Sequence, residues 1–225
     1  MATNIVKRSV HMKTIKEYSD LIRHIPVYNQ SAIIKQDIWE RFSNIKWYDD
    51  QIKKGIFDDK ETIEVSRADI HSERDAGVKL LKLLMWGYPT GGRGNNIAHI
   101  LEKAEELIPT LSSVNGKNLT RAETNDLIEK FAGIRGLGIS TWSKILYFFN
   151  VSIDSRKCQI YDLKIVDSLN KKQFSELGTK KWKQDIGHYY QYIELVDNLA
   201  KDMSALPEQV ELFLFYYNLY YKFTE

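Results

Sequence analysis

Along most of the chain, apolar residues recur at spacings of three and four, the period of a helix with one buried face. In "MKTIKEYSDLIRHI" these positions are Ile15, Tyr18, Ile22 and Ile25; in "NNIAHILEKAEELI" they are Ile97, Ile100, Leu101, Ala104 and Leu107. "SERDAGVKLLKLLMWG" opens on Ser72 as a helix cap, runs through Val78, Leu81, Leu84 and Met85, and stops at Gly87 ahead of Pro89. "TRAETNDLIEKFAGI" begins with a capping box, Thr120 to Glu123, in which hydroxyl and carboxylate each satisfy a free first-turn amide. "CQIYDLKIVDSL", "DIGHYYQYIELVDNLAKDM" and "PEQVELFLFYYNLYYKF" complete the helical set, the last with Pro207 at its start. Strand signals are few. Residues 57–70, "FDDKETIEVSRADI", alternate at Ile63 and Val65 and fit either a short strand or a charged loop. The pattern predicts an all-α protein with neither repeats nor a low-complexity linker.

Composition narrows the class. A chain of 225 residues with 43% apolar and 12% aromatic side chains can bury one large core, so a single domain over 1–225 is expected. Thirty-two basic against thirty acidic residues leave a net charge of +2, far from the field of a protein that coats nucleic acid, so an anionic partner has to be met by a local patch. The single cysteine, Cys158, excludes an internal disulfide framework and a cysteine-rich zinc site. His11, His24, His71, His99 and His188 form no close ligand pair, and neither metal nor cofactor is expected. "MATNIVKRSVHMK" lacks the apolar run of a secretion signal, and no stretch has the length of a membrane span, so a soluble, cytoplasmic monomer is expected.

One stretch interrupts the helical pattern in an informative way. In "GIRGLGISTWSKILYFF", residues 133–149, one helix ends near Gly133 and the next starts near Ser140, with "IRGLG" between them. Gly136 and Gly138 can adopt positive φ and leave their amides uncovered. The amides of Gly138, Ile139 and Ser140 then stand at a helix N-terminus, where unpaired donors and the helix dipole favour an anion such as a DNA phosphate. Ser140 and Thr141 add hydroxyls, and Arg135 adds charge. An interhelical turn without a ligand would use the same glycines. A second loop, "LLMWGYPTGGRGNN" at 83–96, carries Gly91, Gly92 and Gly94 around Arg93, whose planar guanidinium suits a phosphate or a base edge. It lacks the Gly-Lys-Ser/Thr ending of a nucleotide-binding P-loop.

The series Ile134, Gly136, Leu137, Gly138 and Thr141, followed by an apolar helix, resembles the helix-hairpin-helix of DNA-repair enzymes. The "WG" helix end at 86–87 resembles that of bacterial proteins like 8-oxoguanine glycosylase, and the likeness covers roughly residues 72–220. In glycosylases of this superfamily the hairpin is followed by an aspartate that opens another helix. "IYDLKIV" supplies it as Asp162, whose other role is that of a helix N-cap; Asp154, in "VSIDSRK", lacks the following apolar helix. Bifunctional members also carry a lysine nucleophile two residues after the second glycine. That position is Ser140 here, whereas Lys144, one turn further, stands 18 residues before Asp162 (162 minus 144), an interval similar to the family's. Hairpin register and aspartate spacing therefore disagree about the lysine.

The resemblance implies a two-lobed helical fold, with lobes at 1–110 and 111–225 and a cleft between them. It implies excision of a modified base from double-stranded DNA, with Asp162 stabilising positive charge on the sugar and Lys144 or a water attacking. The nucleotide is turned out of the stack, and Trp86, Tyr88, Trp142 and Tyr161 are the candidate walls of the base pocket. Oxidised purines and phage-type modified cytosines, including glucosylated hydroxymethylcytosine, both fit, so repair and phage defence stay open. A helix-hairpin-helix module that only binds DNA explains the glycines equally well, but not Asp162 and Lys144 at their interval.

Overall fold

The computed structural model describes residues 13–52 and 55–221. The N-terminal stretch read for a secretion signal, and His11 within it, lie outside the described residues. Helices hold 59% of the chain, so the all-α expectation describes most of it; two small sheets correct the rest.

A 3-10 turn at Ile15–Tyr18 leads into α1 (Ser19–Arg23), so the first predicted helix is reduced to two short pieces. Thr14 caps the turn in a capping box with Glu17, and Ile15 and Ile22 anchor it in the core. Strand β1 (Ser31–Lys35), α2 (Gln36–Glu40) and α3 (Lys46–Ile52) follow, then β2 (Thr62–Ser66) and α4 (Arg67–Ser72). β1 and β2 pair antiparallel from Ser31 opposite Ser66 to Lys35 opposite Thr62. The undecided stretch is thus a strand, because Ile34 and Val65 face the core while Ile33 and Glu64 point outward.

Helix α5 (Ala76–Gly87) starts at Asp75, whose carboxylate accepts from the amides of Gly77 and Val78. Ser72, the predicted cap, instead ends α4, since the acid nearer the apolar run captures the free amides. The next predicted helix is split at Lys103 into α6 (Asn96–Glu102) and α7 (Ala104–Val114), with all five predicted contact residues buried. Strand β3 (Asn118–Leu119) precedes α8 (Arg121–Lys130), capped by the predicted Thr120–Glu123 box. Then come α9 (Ile139–Phe148), β4 (Ser152–Ile153), β5 (Arg156–Lys157), α10 (Leu163–Asn170), a 3-10 turn at Ser175–Leu177, α11 (Ile186–Met203) and α12 (Pro207–Tyr221). β4 pairs parallel with β3 and antiparallel with β5.

α9 runs through the core and is buried from Thr141 to Phe148. It packs on α5, whose Leu80, Leu81, Leu83 and Leu84 are fully buried, each contributing on the order of 2 kcal/mol of apolar burial. α10 and α11 pack on α12, and Phe213 of α12 meets Tyr18 and Phe174 in the core. No helix among the described residues is long and apolar enough to cross a membrane.

Candidate active site

The hairpin turn is built by α8 ending at Lys130 and α9 beginning at Ile139. Gly136 takes φ +96°, and a Cβ added to it would stand 2.7 Å from the carbonyl oxygen of Asn96, so glycine is needed for conformation and for the close approach of the second loop. Gly138 corrects the expectation of two positive φ values: it sits at φ −72°, ψ 174°, as the N-cap of α9. What matters at this position is the missing side chain. The N–H groups of Gly138, Ile139 and Ser140 make no hydrogen bond within the described residues.

Thr141 borders the opening, but its hydroxyl is committed inward, donating to the Gly136 carbonyl at 2.8 Å and meeting the Tyr88 hydroxyl at 2.7 Å. It closes the turn. Ser140 is half-buried, and its carbonyl and hydroxyl accept from the Lys144 ammonium at 3.2 and 3.1 Å.

Asp162 is the N-cap of α10, its Oδ1 accepting from the amides of Lys164 and Ile165 at 3.0 and 3.1 Å. These bonds fix the carboxylate and leave Oδ2 directed toward Lys144, with Nζ 3.9 Å away. The lysine side chain is 5% exposed and that of the aspartate 19%, so the pair faces water over a small area. Beside it opens a cavity of about 720 Å³ lined by Gly138, Ser140, Lys144, Asp162, Tyr88 and Arg93 among others. The hairpin amides, both candidate reactive side chains and the second glycine loop therefore share one opening. Lys144, one turn beyond Ser140, reaches back to the Ser140 hydroxyl and across to Asp162.

The other candidates divide. Arg93 is exposed on the rim of this cavity. Arg135 is also exposed but lines a different cavity of about 610 Å³, together with His99, Lys103 and Lys130. Of the four aromatic residues, only Tyr88 lines the first cavity. Trp142 and Tyr161 are fully buried in the core, and the Tyr161 hydroxyl donates to the Lys183 carbonyl. Trp86 packs edge-on against Phe148 and beneath the Arg67 guanidinium, its indole N–H donating to the Gln30 carbonyl. Trp86, Trp142 and Tyr161 do not line the cavity beside Lys144 and Asp162.

Sequence reasoning missed Ser143. It is buried, donates to the Ser140 carbonyl at 3.1 Å and accepts from the Tyr161 amide at 2.9 Å, tying α9 to the main chain just before Asp162. Its signal was a polar residue amid "TWSKIL". A buried ion pair lies deeper: Arg67 NH1 and Glu211 Oε2 are 2.8 Å apart, each side chain 1% exposed, without the alignment of a hydrogen bond, while Arg67 also donates to the Tyr147 hydroxyl at 3.2 Å. Burial pushes the Glu211 carboxyl above its usual range and the negative charge of Asp162 adds to this, while Arg67 and Lys144 oppose it.

Residues 26–215 match the family model described as "Putative 8-oxoguanine DNA glycosylase OGG-like protein". No curated protein and no solved structure gives a significant match.

Proposed function

Because the chain belongs to the 8-oxoguanine DNA glycosylase OGG-like family, we propose that it removes a modified base, oxidised guanine first among them, from double-stranded DNA at the cavity shared by Lys144 and Asp162. The observation that carries the reading is the 3.9 Å separation of Lys144 Nζ and Asp162 Oδ2 beside unpaired hairpin amides. In this reading the two halves of the chain, divided near residue 110, act as lobes that both line the cavity, the first with Tyr88 and Arg93 and the second with Lys144 and Asp162.

The amides of Gly138, Ile139 and Ser140 hold a backbone phosphate, and Arg93 holds a second or a base edge. Arg135, near Lys130 and Lys103, extends the phosphate contacts along the outer side of the hairpin. Anchored on both sides, the nucleotide turns out of the stack, at a cost of a few kcal/mol that these contacts offset. The Lys144 ammonium first gives up a proton to water, and the neutral amine then forms a bond to C1′ while the glycosidic C–N bond breaks. Its electron pair leaves with the base, which takes up a proton. Positive charge on the sugar is stabilised by the Asp162 carboxylate, which also accepts the proton lost by the attacking nitrogen. Both reactive groups come from one chain, so the monomer is sufficient.

The test is a panel of duplexes carrying oxidised, alkylated, deaminated and glucosylated bases, scored for abasic sites with and without alkali. The expected result is base release by the wild type, none by Asp162→Asn, and a borohydride-trapped complex that Lys144→Ala abolishes. Strand breaks that need alkali, with no trapped complex, would replace the lysine by a water; binding without release across the panel would reduce the protein to a DNA-binding module.

A further inference from the structure

We propose that Gly87 and Tyr88, where α5 ends, are positioning residues that set the location of the Lys144 ammonium; the inference rests on the reading of Lys144 given above. A Cβ added to Gly87 would stand 3.0 Å from Lys144 Cδ and 3.2 Å from Cε, so the lysine stem lies directly on the bare glycine. Gly87 is the last residue of α5, with no positive φ, so the backbone itself does not require glycine. What requires it is the path of the neighbouring side chain.

Tyr88 completes the cradle. Its ring centroid lies 5.5 Å from Lys144 Nζ, within the range where a ring face attracts a cation. Its hydroxyl meets Thr141 Oγ1 at 2.7 Å, and Thr141 in turn donates to the Gly136 carbonyl at 2.8 Å. One residue thus touches the lysine and braces the turn. The "WGYP" stretch of the second loop, otherwise a helix stop, gains a role: it presents a missing side chain and an aromatic face to the same amine.

Gly87→Ala separates position from stability. Alanine is the better helix former, so the fold keeps or gains stability. The lysine stem, however, must yield by a few tenths of an ångström or more, and Nζ rides at its end. The full-length wild type, Gly87→Ala, Tyr88→Phe and Tyr88→Leu are treated with formaldehyde and borohydride, and methylation of Lys144 is followed by peptide mass spectrometry with surface lysines as internal reference. Expected is a change of about threefold or more in the Lys144 rate for Gly87→Ala and Tyr88→Leu, with Tyr88→Phe close to wild type. In Gly87→Ala the melting temperature does not fall, borohydride trapping on an abasic duplex slows about tenfold, and duplex affinity holds within about twofold. An unchanged Lys144 methylation rate in both Gly87→Ala and Tyr88→Leu overturns the proposal, and so does wild-type trapping by Gly87→Ala. If the wild type itself traps nothing, the nucleophile reading falls, while the methylation rates still decide whether Gly87 and Tyr88 hold the amine.

Discussion

The amide of Tyr161 donates to the hydroxyl of Ser143 at 2.9 Å, so Lys144 and Asp162 each stand one residue beyond a bonded pair. This single hydrogen bond sets the register between the hairpin's second helix and the segment that delivers the carboxylate. It is buried on both sides, with Ser143 and Tyr161 fully enclosed.

Ser143→Ala leaves the Tyr161 amide buried without a partner, which costs about 1–3 kcal/mol. Because the lost bond lies beside the reactive pair, base release is expected to fall by more than about tenfold while duplex affinity, carried by the hairpin amides, changes little. Denaturant unfolding and single-turnover excision measured on one preparation check this. Equal losses in binding and excision would mean that the serine supports the whole turn.

Asp162 has two separable duties, cap and carboxylate. Asparagine can accept the same bonds from the amides of Lys164 and Ile165, so Asp162→Asn is expected to stay within about 0.5 kcal/mol of the wild type. Asp162→Ala loses the cap and about 1 kcal/mol. Both lose base release. Thermal melts beside excision assays separate the duties, and residual excision by the asparagine variant at the wild-type rate would remove the carboxylate from the chemistry.

The two hairpin glycines are expected to fail differently. Gly136→Ala meets a positive φ and a backbone oxygen at 2.7 Å, so the fold is destabilised by about 1–3 kcal/mol. Gly138→Ala meets neither strain nor a neighbour, so stability is kept, but the new methyl stands beside the free amides and duplex affinity drops. Melting temperature and duplex Kd distinguish the two. Loss of stability in the second variant would contradict its extended backbone.

The turn, its capping box and the position of Asp162 were legible in the sequence because each depends on neighbours within one or two turns. The depth of Trp142 and Tyr161 was not, since helical spacing says which face is apolar but not how many layers lie outside it. The same limit hid Arg67 and Glu211, whose 2.8 Å approach joins residues from opposite halves of the chain. A lone acid in "VELFLF" reads as a polar-face residue until α12 is found buried around it. The short strands were hidden too: β3, β4 and β5 hold two residues each, too few for any alternation to register.

His71 provides a pH dependence with a defined sign. Its ring lies edge-on to Tyr147 and Tyr28 and tilted on Phe148, and its Nε2 is buried without a partner. Burial, followed by the positive charges of Lys157, Lys79 and Arg67, pulls its pKa down to about 4, with Glu208 opposing. In the unfolded chain the imidazole protonates near its ordinary value of 6.5. The folded state therefore binds fewer protons than the unfolded state between these values. The stabilisation tied to the neutral ring is complete above about pH 6.5 and is lost as the pH falls toward about 4. The ring is only half-buried, so roughly 1–2 kcal/mol is expected from this group. His71→Phe retains the aromatic packing and removes the titration. Melting curves at pH 7 and pH 4.5 should therefore show a smaller loss of Tm in the variant than in the wild type, the carboxylates contributing equally to both. Parallel losses would show that the imidazole finds a proton-stabilising partner inside the fold.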